Sequence, residues 1–290
     1  MADTKVSALS DASTLDGKEK FHGVQSSTDK AISTLQMAEL AFARLERKRF
    51  SKLVPILGST SWTTFGAEHW HPNNITFSGN NSGTSVFNTS YITRLNYAAF
   101  VTSASAGTLA YFIPNAASSM LSIGGSGVGG FRLVGKWFSN HNVTDARFFF
   151  GLTNSTSAPT NVEPNTLTNC IGVAKLAGSA NIQIVYGGSA AQTAIDPGAD
   201  FPAKGAKTSL YEFEFFSDPN DNTQITYRVE RNPGQSSNNY VATGTITNTT
   251  PGTTLPATTT FLGPRFWICN NATASAAEMD FVSLACITES

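Results

Sequence analysis

With 290 residues, 40% of them hydrophobic and 11% aromatic, the chain can form one large domain with a smaller appendage, or two medium domains. Only 13% of the residues are charged, about half the usual share in soluble proteins, and the net charge is -1. The weak charge gives no indication of a nucleic-acid partner or an anionic membrane, and the surface rich in Ser, Thr, Asn and Gly is typical of extracellular or virion proteins.

The cysteine pattern and the N-terminus indicate where such a chain is made. Cys170, Cys269 and Cys286 are far apart and form no CxxC metal pattern, so we expect buried free thiols. The N-terminal run MADTKVSALSDAS has no apolar core and is not expected to act as a secretory signal. No run approaches the ~18 consecutive apolar residues of a membrane-spanning helix, so no membrane insertion is expected. A protein synthesised in the host cytoplasm and displayed on a virion satisfies these conditions.

The first 31 residues predict an extended arm. They are polar and small, with a turn at 14–17 and a polar connector at 24–30, and they hold too few large apolar residues for a core of their own. We therefore expect the arm to gain order from a docking partner or from neighbouring copies of the chain.

Residues 32–49 predict a short helix, because apolar residues recur there at three- and four-residue spacing and so share one face. The residues of this stripe are Leu35, Ala38, Phe42 and Leu45. The stripe either packs on the domain that follows or forms a symmetric bundle between copies. We favour the bundle, as a homotrimer, because the arm offers no core to pack against.

From Phe50 onwards the apolar residues recur with a period of two, which predicts strands. The best predicted pair is LYEFEFF at 210–216 and QITYRVE at 224–230, joined by the turn sequence SDPNDN. Further strands are predicted at 84–87, 91–100, 108–113, 182–186, 240–246, 259–269 and 279–285. A series of strands without intervening helices predicts an antiparallel β-sandwich over residues 50–290.

The most apolar stretch lies at 131–152. FRLVGKWF and RFFFGL flank the polar turn SNHNVTDA and predict a strand pair in the core that other strands must cover. Trp137 alternates with other apolar residues and Trp267 lies in the apolar run FLGPRFWIC, so both indoles are expected in the core. Near the C-terminus, one strand face is predicted to carry Met279, Phe281, Ser283 and Ala285.

Several landmarks in the second part of the chain resemble a recurrent module of bacteriophage tail-fibre and other virion appendage proteins. They are RFFFGLTNSTSAPTNVEPNTLTNCIGV from Arg147, ANIQIVYGGSAAQTAIDPGADFPA from Ala180, LYEFEFFSDPN from Leu210, YRVER from Tyr227 and NNATASAAEMDFVSLACITES from Asn270. The resemblance spans residues 50–290, is strongest after residue 131, and implies a concanavalin A-like jelly roll. The segment from Lys5 to Leu40 is similar to segments that anchor phage fibres, which implies a virion-anchoring role for residues 1–49.

The acidic residues form no catalytic pattern. Glu212 and Glu214 lie on one predicted strand face, about 7 Å apart, but their alternation with aromatic residues is typical of a solvated face opposite a core face. No Ser/His/Asp signature is present, and the Gly-rich runs are not nucleotide loops because no strand–turn–helix unit surrounds them. We expect no catalytic residue, no cofactor and no enzymatic activity.

Two candidates for ligand binding lie between residues 62 and 71. His69 and His71 would project from the same strand face and offer metal ligands; surface or interface histidines are the interpretation we favour, because the motif occurs once. Trp62 and Trp70 lie in a less regular region and are the candidates for stacking against a carbohydrate, although packing is the commoner role of such residues.

The leading hypothesis is a non-enzymatic phage appendage of the tail-fibre type. Residues 1–49 would attach to other virion proteins, and the jelly roll of residues 50–290 would contact the host surface, where a glycan is the expected receptor. The first alternative is a head fibre or capsid-decorating protein with a purely structural role. The second is a capsule depolymerase, which would need a cleft with converging acids.

Overall fold

The computed structural model describes strands within residues 20–84 and then residues 97–289, except 115–120, 126, 128 and 236. Before residue 97 only the backbone of the strands is described. The chain divides into two compact units, residues 1–48 and 49–290. The predicted helix at 32–49 lies mostly outside the described residues, but its two ends are wrong, because residues 32–33 close one strand and residues 48–49 open another.

The first unit contains an antiparallel hairpin of β1 (Lys20–Gln25) and β2 (Thr28–Ser33). The last residue of β1 pairs with the first of β2, so a two-residue connection joins them. The prediction of a polar connector at 24–30 is therefore wrong. β1 contains Phe21 and Val24, and β2 contains Thr28 and Ile32, which are residue types that favour strands. The many polar residues among them made the segment resemble a connector.

The second unit is built from strands β3 to β17. In chain order they are β3 (Lys48–Pro55), β4 (Trp62–Phe65), β5 (Ile75–Ser78), β6 (Asn80–Thr84), β7 (Tyr97–Val101), β8 (Leu109–Pro114), β9 (Phe131–His141), β10 (Arg147–Thr153), β11 (Cys170–Lys175), β12 (Gln183–Gly187), β13 (Gly205–Ser217), β14 (Gln224–Arg231), β15 (Tyr240–Thr247), β16 (Gly263–Cys269) and β17 (Glu278–Glu289). Among the described residues the single helical element is a short 3-10 turn at Pro164–Thr166, and no helix there is long and apolar enough to cross a membrane.

These strands form two antiparallel sheets. One has six strands in the order β12-β11-β10-β16-β8-β5. The other has nine, in the order β15-β14-β13-β9-β17-β3-β4, with β7 on β17 and β6 on β7. The predicted strands at 210–216 and 224–230 are neighbours, with Phe213 opposite Val229. The prediction of a mainly-β antiparallel sandwich is confirmed.

Side chains from the inner faces of both sheets form one aromatic core. Phe150 lies at its centre, with ring centroids 4.9 Å from Phe213, 5.1 Å from Phe266, 5.5 Å from Phe281 and 6.0 Å from Trp137. All five rings are fully buried. Aromatic pairs in such edge-on and tilted arrangements contribute about 0.5–1.5 kcal/mol each beyond their burial. Because the five rings come from both sheets, they hold the sandwich together.

The two strands predicted at 131–152 exist as β9 and β10, but they do not pair with each other. β9 lies between β13 and β17 in the nine-stranded sheet, whereas β10 lies between β11 and β16 in the six-stranded sheet. The turn at 142–146 therefore carries the chain from one sheet to the other. Trp137 and Phe148 meet across the core as a result, with 6.3 Å between their ring centroids.

A second apolar cluster lies on the outer face of the six-stranded sheet. It contains Phe149, Cys170, Ala174, Val185, Trp267 and Cys269. The prediction that both indoles are buried is confirmed, but Trp267 lies in this outer cluster and only Trp137 lies between the sheets. The three cysteines are buried free thiols, as predicted.

A β-bulge in β17 changes which of its residues face the core. The register of β17 against β9 shifts between Phe281 and Ser283. Phe281 lies in the main core before the shift and Leu284 lies there after it. The prediction that Ser283 and Ala285 share the face of Phe281 is wrong, because one extra residue reverses the alternation.

Candidate functional site

The structure describes no side chain of the residues that the sequence predicts for binding. Trp62 lies in β4, but nothing of its side chain is described. The other such residues, His69, Trp70 and His71 together with the stripe of Leu35, Ala38, Phe42 and Leu45, lie outside the described residues. No group of three His, Cys, Asp or Glu side chains in the described part of the chain could hold a metal ion. Two other surfaces of the second unit are candidates for binding.

The first candidate is the outer face of the nine-stranded sheet, on β9, β13, β14 and β15. Every second residue of β13 is buried in the core, so the residues between them face outwards. Two rows of outward residues cross the four strands: Arg132, Phe216, Thr226 and Thr245 in one, and Val134, Glu214, Arg228 and Thr243 in the next. We call these residues the outer platform. It spans three inter-strand steps, about 14 Å.

Phe216 is the unusual member of the outer platform. It is 41% exposed, whereas Phe213 and Phe215 on the same strand are fully buried. Its cross-strand neighbours are Arg132 on β9 and Thr226 on β14. An aromatic ring displayed between polar neighbours offers an apolar face to a ligand, and aromatic residues contribute heavily to binding energy at many interfaces.

The acidic pair of β13 is held in ion pairs. The Arg132 guanidinium donates two hydrogen bonds to the Glu214 carboxylate, from Nε at 2.8 Å and from Nη2 at 2.9 Å. This contact raises the pKa of Arg132, chiefly through the hydrogen bonding. Lys136 forms a single ion pair with Glu212 further along the sheet. Ion pairs as exposed as Arg132–Glu214 contribute little to the stability of the fold. A ligand can therefore hydrogen-bond to their polar atoms at little cost in folding free energy.

A groove of about 380 Å³ runs over the outer platform, lined by Glu214, Thr226, Tyr227, Arg228, Thr243, Gly244 and Thr245. Tyr227 packs on the core side of the sheet, where Gly244 leaves room for it, because a Cβ at residue 244 would lie 2.4 Å from the Tyr227 hydroxyl oxygen. Arg228 is oriented by an ion pair with Glu230. The groove combines threonine hydroxyls, a carboxylate and a guanidinium, which are groups that hydrogen-bond to polar molecules.

The second candidate is a pocket under the loop at 154–169, on the outer face of the six-stranded sheet. Two residues of β16, Arg265 and Trp267, line it together with the strand end and loop residues Thr153–Ser155, Ala158–Thr160, Val162 and Thr166–Thr168. Its volume is about 340 Å³, near the lower end of the range of roughly 300–1,000 Å³ for small-molecule sites. We call it the loop pocket.

Two arginines hold the loop in place. Arg265 donates to two loop carbonyls, at 3.0 and 3.2 Å. Arg147 donates from Nε to the Glu163 carboxylate at 3.0 Å and from Nη1 to the Asn161 side-chain oxygen at 2.6 Å. Because both halves of the loop are fastened, the pocket exists before a ligand arrives, which lowers the entropic cost of binding.

Arg265 is a buried cation with no carboxylate partner among the described residues. It is 4% exposed, and burial lowers its pKa to about 10, so it is charged at neutral pH. Its Nε and the Nε1 of Trp267 are both buried without a hydrogen-bond partner in the described structure. Since buried polar groups are normally satisfied, these two donors beside the loop pocket are unusual in lacking an acceptor.

A third charged site is buried beside β7 in the nine-stranded sheet. Asp280 is fully buried, and its Oδ2 lies 2.8 Å from the Lys207 ammonium. That ammonium also lies 4.0 Å from the centre of the Tyr97 ring and 3.7 Å from Glu278. Burial raises the pKa of Asp280 to about 8; Lys207 opposes this shift and Glu278 adds to it.

We expect Asp280 to make stability depend on pH. The native carboxyl keeps its proton up to about pH 8, whereas the unfolded chain releases it near 3.8, so the native state loses stability as the pH rises between these values. Asp280→Asn removes this titration and keeps the shape. In urea unfolding from about pH 4 to pH 9, the free energy of unfolding of the variant should rise relative to that of the wild type as the pH rises. A stability difference that stays constant with pH would contradict the expectation.

Comparison with known proteins supports the fold alone. No protein-family model and no curated protein sequence matches the chain. Peanut lectin with a 9mer peptide superposes with a TM-score of 0.50 at 8% identity, covering 83% of this chain and 97% of that one. A protein of unknown function from Shewanella oneidensis MR-1 gives 0.47 at 14% identity, with 91% and 97% covered. The CBM2 module of the evolved Dit of Lactobacillus casei BL23 phage J-1 gives 0.39 at 12% identity, with 76% and 93% covered. The sandwich has the lectin-like jelly-roll fold that was predicted.

Sequence reasoning missed both candidate surfaces, although each has a signal in the sequence. In FEFF at 213–216, two adjacent phenylalanines cannot both face the core of one strand, so Phe216 has to face away. In PRFWIC a single Arg265 interrupts an apolar strand, and a buried cation needs a partner. Arg132 and Arg228 carry no comparable signal, since charged residues alternate with apolar ones in any amphipathic strand.

Proposed function

We propose that the chain is a structural bacteriophage virion appendage of the tail-fibre type, and that its sandwich attaches to a glycan on the host surface. The resemblance of residues 50–290 to phage appendage modules, which is strongest after residue 131, supports the virion location. The lectin-like fold, shared with peanut lectin, is compatible with the binding role. The observation that carries the proposal is Phe216, exposed on the outer platform between Arg132 and Thr226.

The outer platform matches the chemistry of a carbohydrate, which presents apolar ring faces edged by hydroxyl groups. Phe216 supplies an apolar face, and the threonine hydroxyls of the groove both donate and accept hydrogen bonds. The bidentate Arg132–Glu214 pair holds donors and acceptors in fixed positions. Groups that are ordered before binding lose little entropy when a ligand arrives.

Residues 1–49 would anchor the chain to other virion proteins and hold it as a homotrimer. The oligomerisation face would be the stripe of Leu35, Ala38, Phe42 and Leu45. Linked copies bind at a high effective concentration, so shallow sites with weak individual affinity give firm attachment. The proposed protein is not an enzyme, and it requires no cofactor, no nucleic acid and no membrane insertion.

Replacing Phe216 with Ala should weaken glycan binding by about tenfold per site, or about 1.4 kcal/mol, because the apolar face of the site is lost. Phe261→Ala is the matched control, since Phe261 is 60% exposed and lies outside the outer platform. Binding of the wild type and both variants is measured on an array of bacterial lipopolysaccharide and capsular glycans. Equal binding by the two variants, or no binding by the wild type, would rule out the platform as a glycan site.

Two further measurements separate this proposal from its alternatives. Oligosaccharides released during incubation with host polysaccharide would indicate a depolymerase instead of a binding protein. A labelled antibody on negatively stained virions locates the chain. Labelling of the head would favour a head fibre or capsid-decorating protein over a tail fibre.

A further inference from the structure

We propose that the loop pocket binds a single carboxylate-bearing sugar residue, with Arg265 pairing with the carboxylate. The loop pocket lies on the six-stranded sheet, whereas the outer platform lies on the nine-stranded sheet. The two sites therefore do not share a contact, and either proposal can fail without the other.

The charge of Arg265 calls for an anionic ligand. Its Nη1 and Nη2 donate to the carbonyls of Ser155 and Ser157, which uses two of the five N–H donors of a guanidinium. Carbonyls compensate for lost hydration but do not neutralise the charge, and a buried charge is costly unless it is paired. The planar fork of an arginine matches the two oxygens of a carboxylate.

The sheet under the loop explains how the cation comes to be buried. Arg265 pairs with Gly151 on β10, and Gly151 pairs with Gly172 on β11. A Cβ at residue 151 would lie 2.2 Å from the Ile171 carbonyl oxygen, so the close approach of the strands requires glycine. The sheet surface beside Arg265 thus carries no side chain at Gly151 and Gly172, and the loop can lie close enough for the guanidinium to reach its carbonyls.

The rest of the lining suits one sugar residue. Thr160 and Thr168 offer hydroxyl groups, and Pro159 and Leu167 offer apolar contacts. The buried indole N–H of Trp267 has no partner in the described structure and lies beside the pocket, where it can report that the pocket is occupied. The volume of about 340 Å³ suits a single sugar residue. A neutral sugar would leave Arg265 unpaired, and inorganic phosphate would leave the hydroxyl and apolar lining unused.

The test follows the indole N–H of Trp267 by NMR in the full-length protein while sodium galacturonate is added. Trp267→Phe assigns the signal, galactose is the neutral control, and sodium phosphate represents an inorganic oxyanion. We expect a saturable shift with galacturonate that the other two compounds do not produce. No saturable shift with galacturonate, or an equal shift with galactose or phosphate, overturns the proposal.

Three variants separate binding from a purely structural role of Arg265. Arg265→Gln should weaken galacturonate binding roughly 30-fold or more, because the paired charge is lost. Arg147→Gln removes the other anchor of the loop and keeps the cation, so binding should weaken by the cost of ordering the loop and by much less than in Arg265→Gln. Ala158→Trp fills the pocket from an exposed loop position and should block binding while Arg265 stays in place. If Arg147→Gln loses binding as completely as Arg265→Gln, Arg265 only anchors the loop and the proposal is wrong.

Discussion

Replacing Phe150 with Ala is expected to lower the free energy of unfolding by about 3–5 kcal/mol. The ring is fully buried, and it contacts aromatic rings from both sheets, the nearest of which is Phe213 at 4.9 Å between centroids. Removing it leaves a cavity that a core of rigid aromatic rings fills poorly, so both the transfer free energy and the packing are lost. Urea unfolding followed by tryptophan fluorescence measures the change, since Trp137 lies beside the ring.

Two variants calibrate this prediction. Phe150→Leu retains most of the volume and should cost about 1–2 kcal/mol. Phe261→Ala removes the same ring from a position that is 60% exposed and should change stability by less than about 0.5 kcal/mol. If Phe150→Ala unfolds at the same urea concentration as Phe261→Ala, the two sheets do not meet at Phe150 and the described core is wrong.

Local alternation of side chains was sufficient to place many of the strands in the second unit. The pair β13 and β14 is the clearest case, because each strand alternates strictly and a turn sequence joins them. Alternation defines the two faces of a strand but does not choose its neighbours. β9 and β10 show this limit, since a five-residue turn between two apolar strands is compatible with a hairpin and with a crossing between sheets.

The choice for β9 and β10 depends on contacts far apart in sequence. β10 is apolar at nearly every position, and the structure buries both of its faces: Phe150 in the main core and Phe149 in the outer cluster. A strand buried on both faces has to lie inside a sheet that is covered on both sides, and among the described residues the loop at 154–169 supplies part of that outer cover through Leu167. The same loop lines the loop pocket.

The candidate sites were harder to predict than the fold. Sequence reasoning sought exposed aromatic residues in irregular regions, which led to Trp62 and Trp70, and these stay predictions. Phe216 lies in a regular strand, and its exposure follows only once the core face of β13 is known. The isolation of Arg265 depends on which carboxylates approach it in space, and no pattern along the chain records that.

Lys175 provides the other large expected effect, and its burial could not be read from sequence at all. A lysine at the end of a strand is normally solvated, yet Lys175 is fully buried. Its ammonium donates to the carbonyls of Thr144 at 2.7 Å, Ala146 at 2.8 Å and Leu176 at 3.0 Å. Burial lowers its pKa to about 8, so it carries a charge at neutral pH. Two of these carbonyls belong to the turn that crosses between the sheets.

Lys175→Met keeps the length of the side chain and removes the ammonium, which leaves these three carbonyls and that of Ala177, at 3.5 Å, without their donor. We expect a loss of about 2–4 kcal/mol in urea unfolding, because unsatisfied buried acceptors are costly and bonds from a charged donor are strong. Lys204→Met is the control, because Lys204 is more exposed and reaches Thr144 Oγ1 only at 3.3 Å. This substitution should change the free energy of unfolding by less than about 0.5 kcal/mol. The crossing turn at 142–146 should also become the first site of proteolysis in Lys175→Met, since β9 and β10 reach different sheets through it. Equal free energies of unfolding for the two variants would mean that the crossing turn is stable without the ammonium.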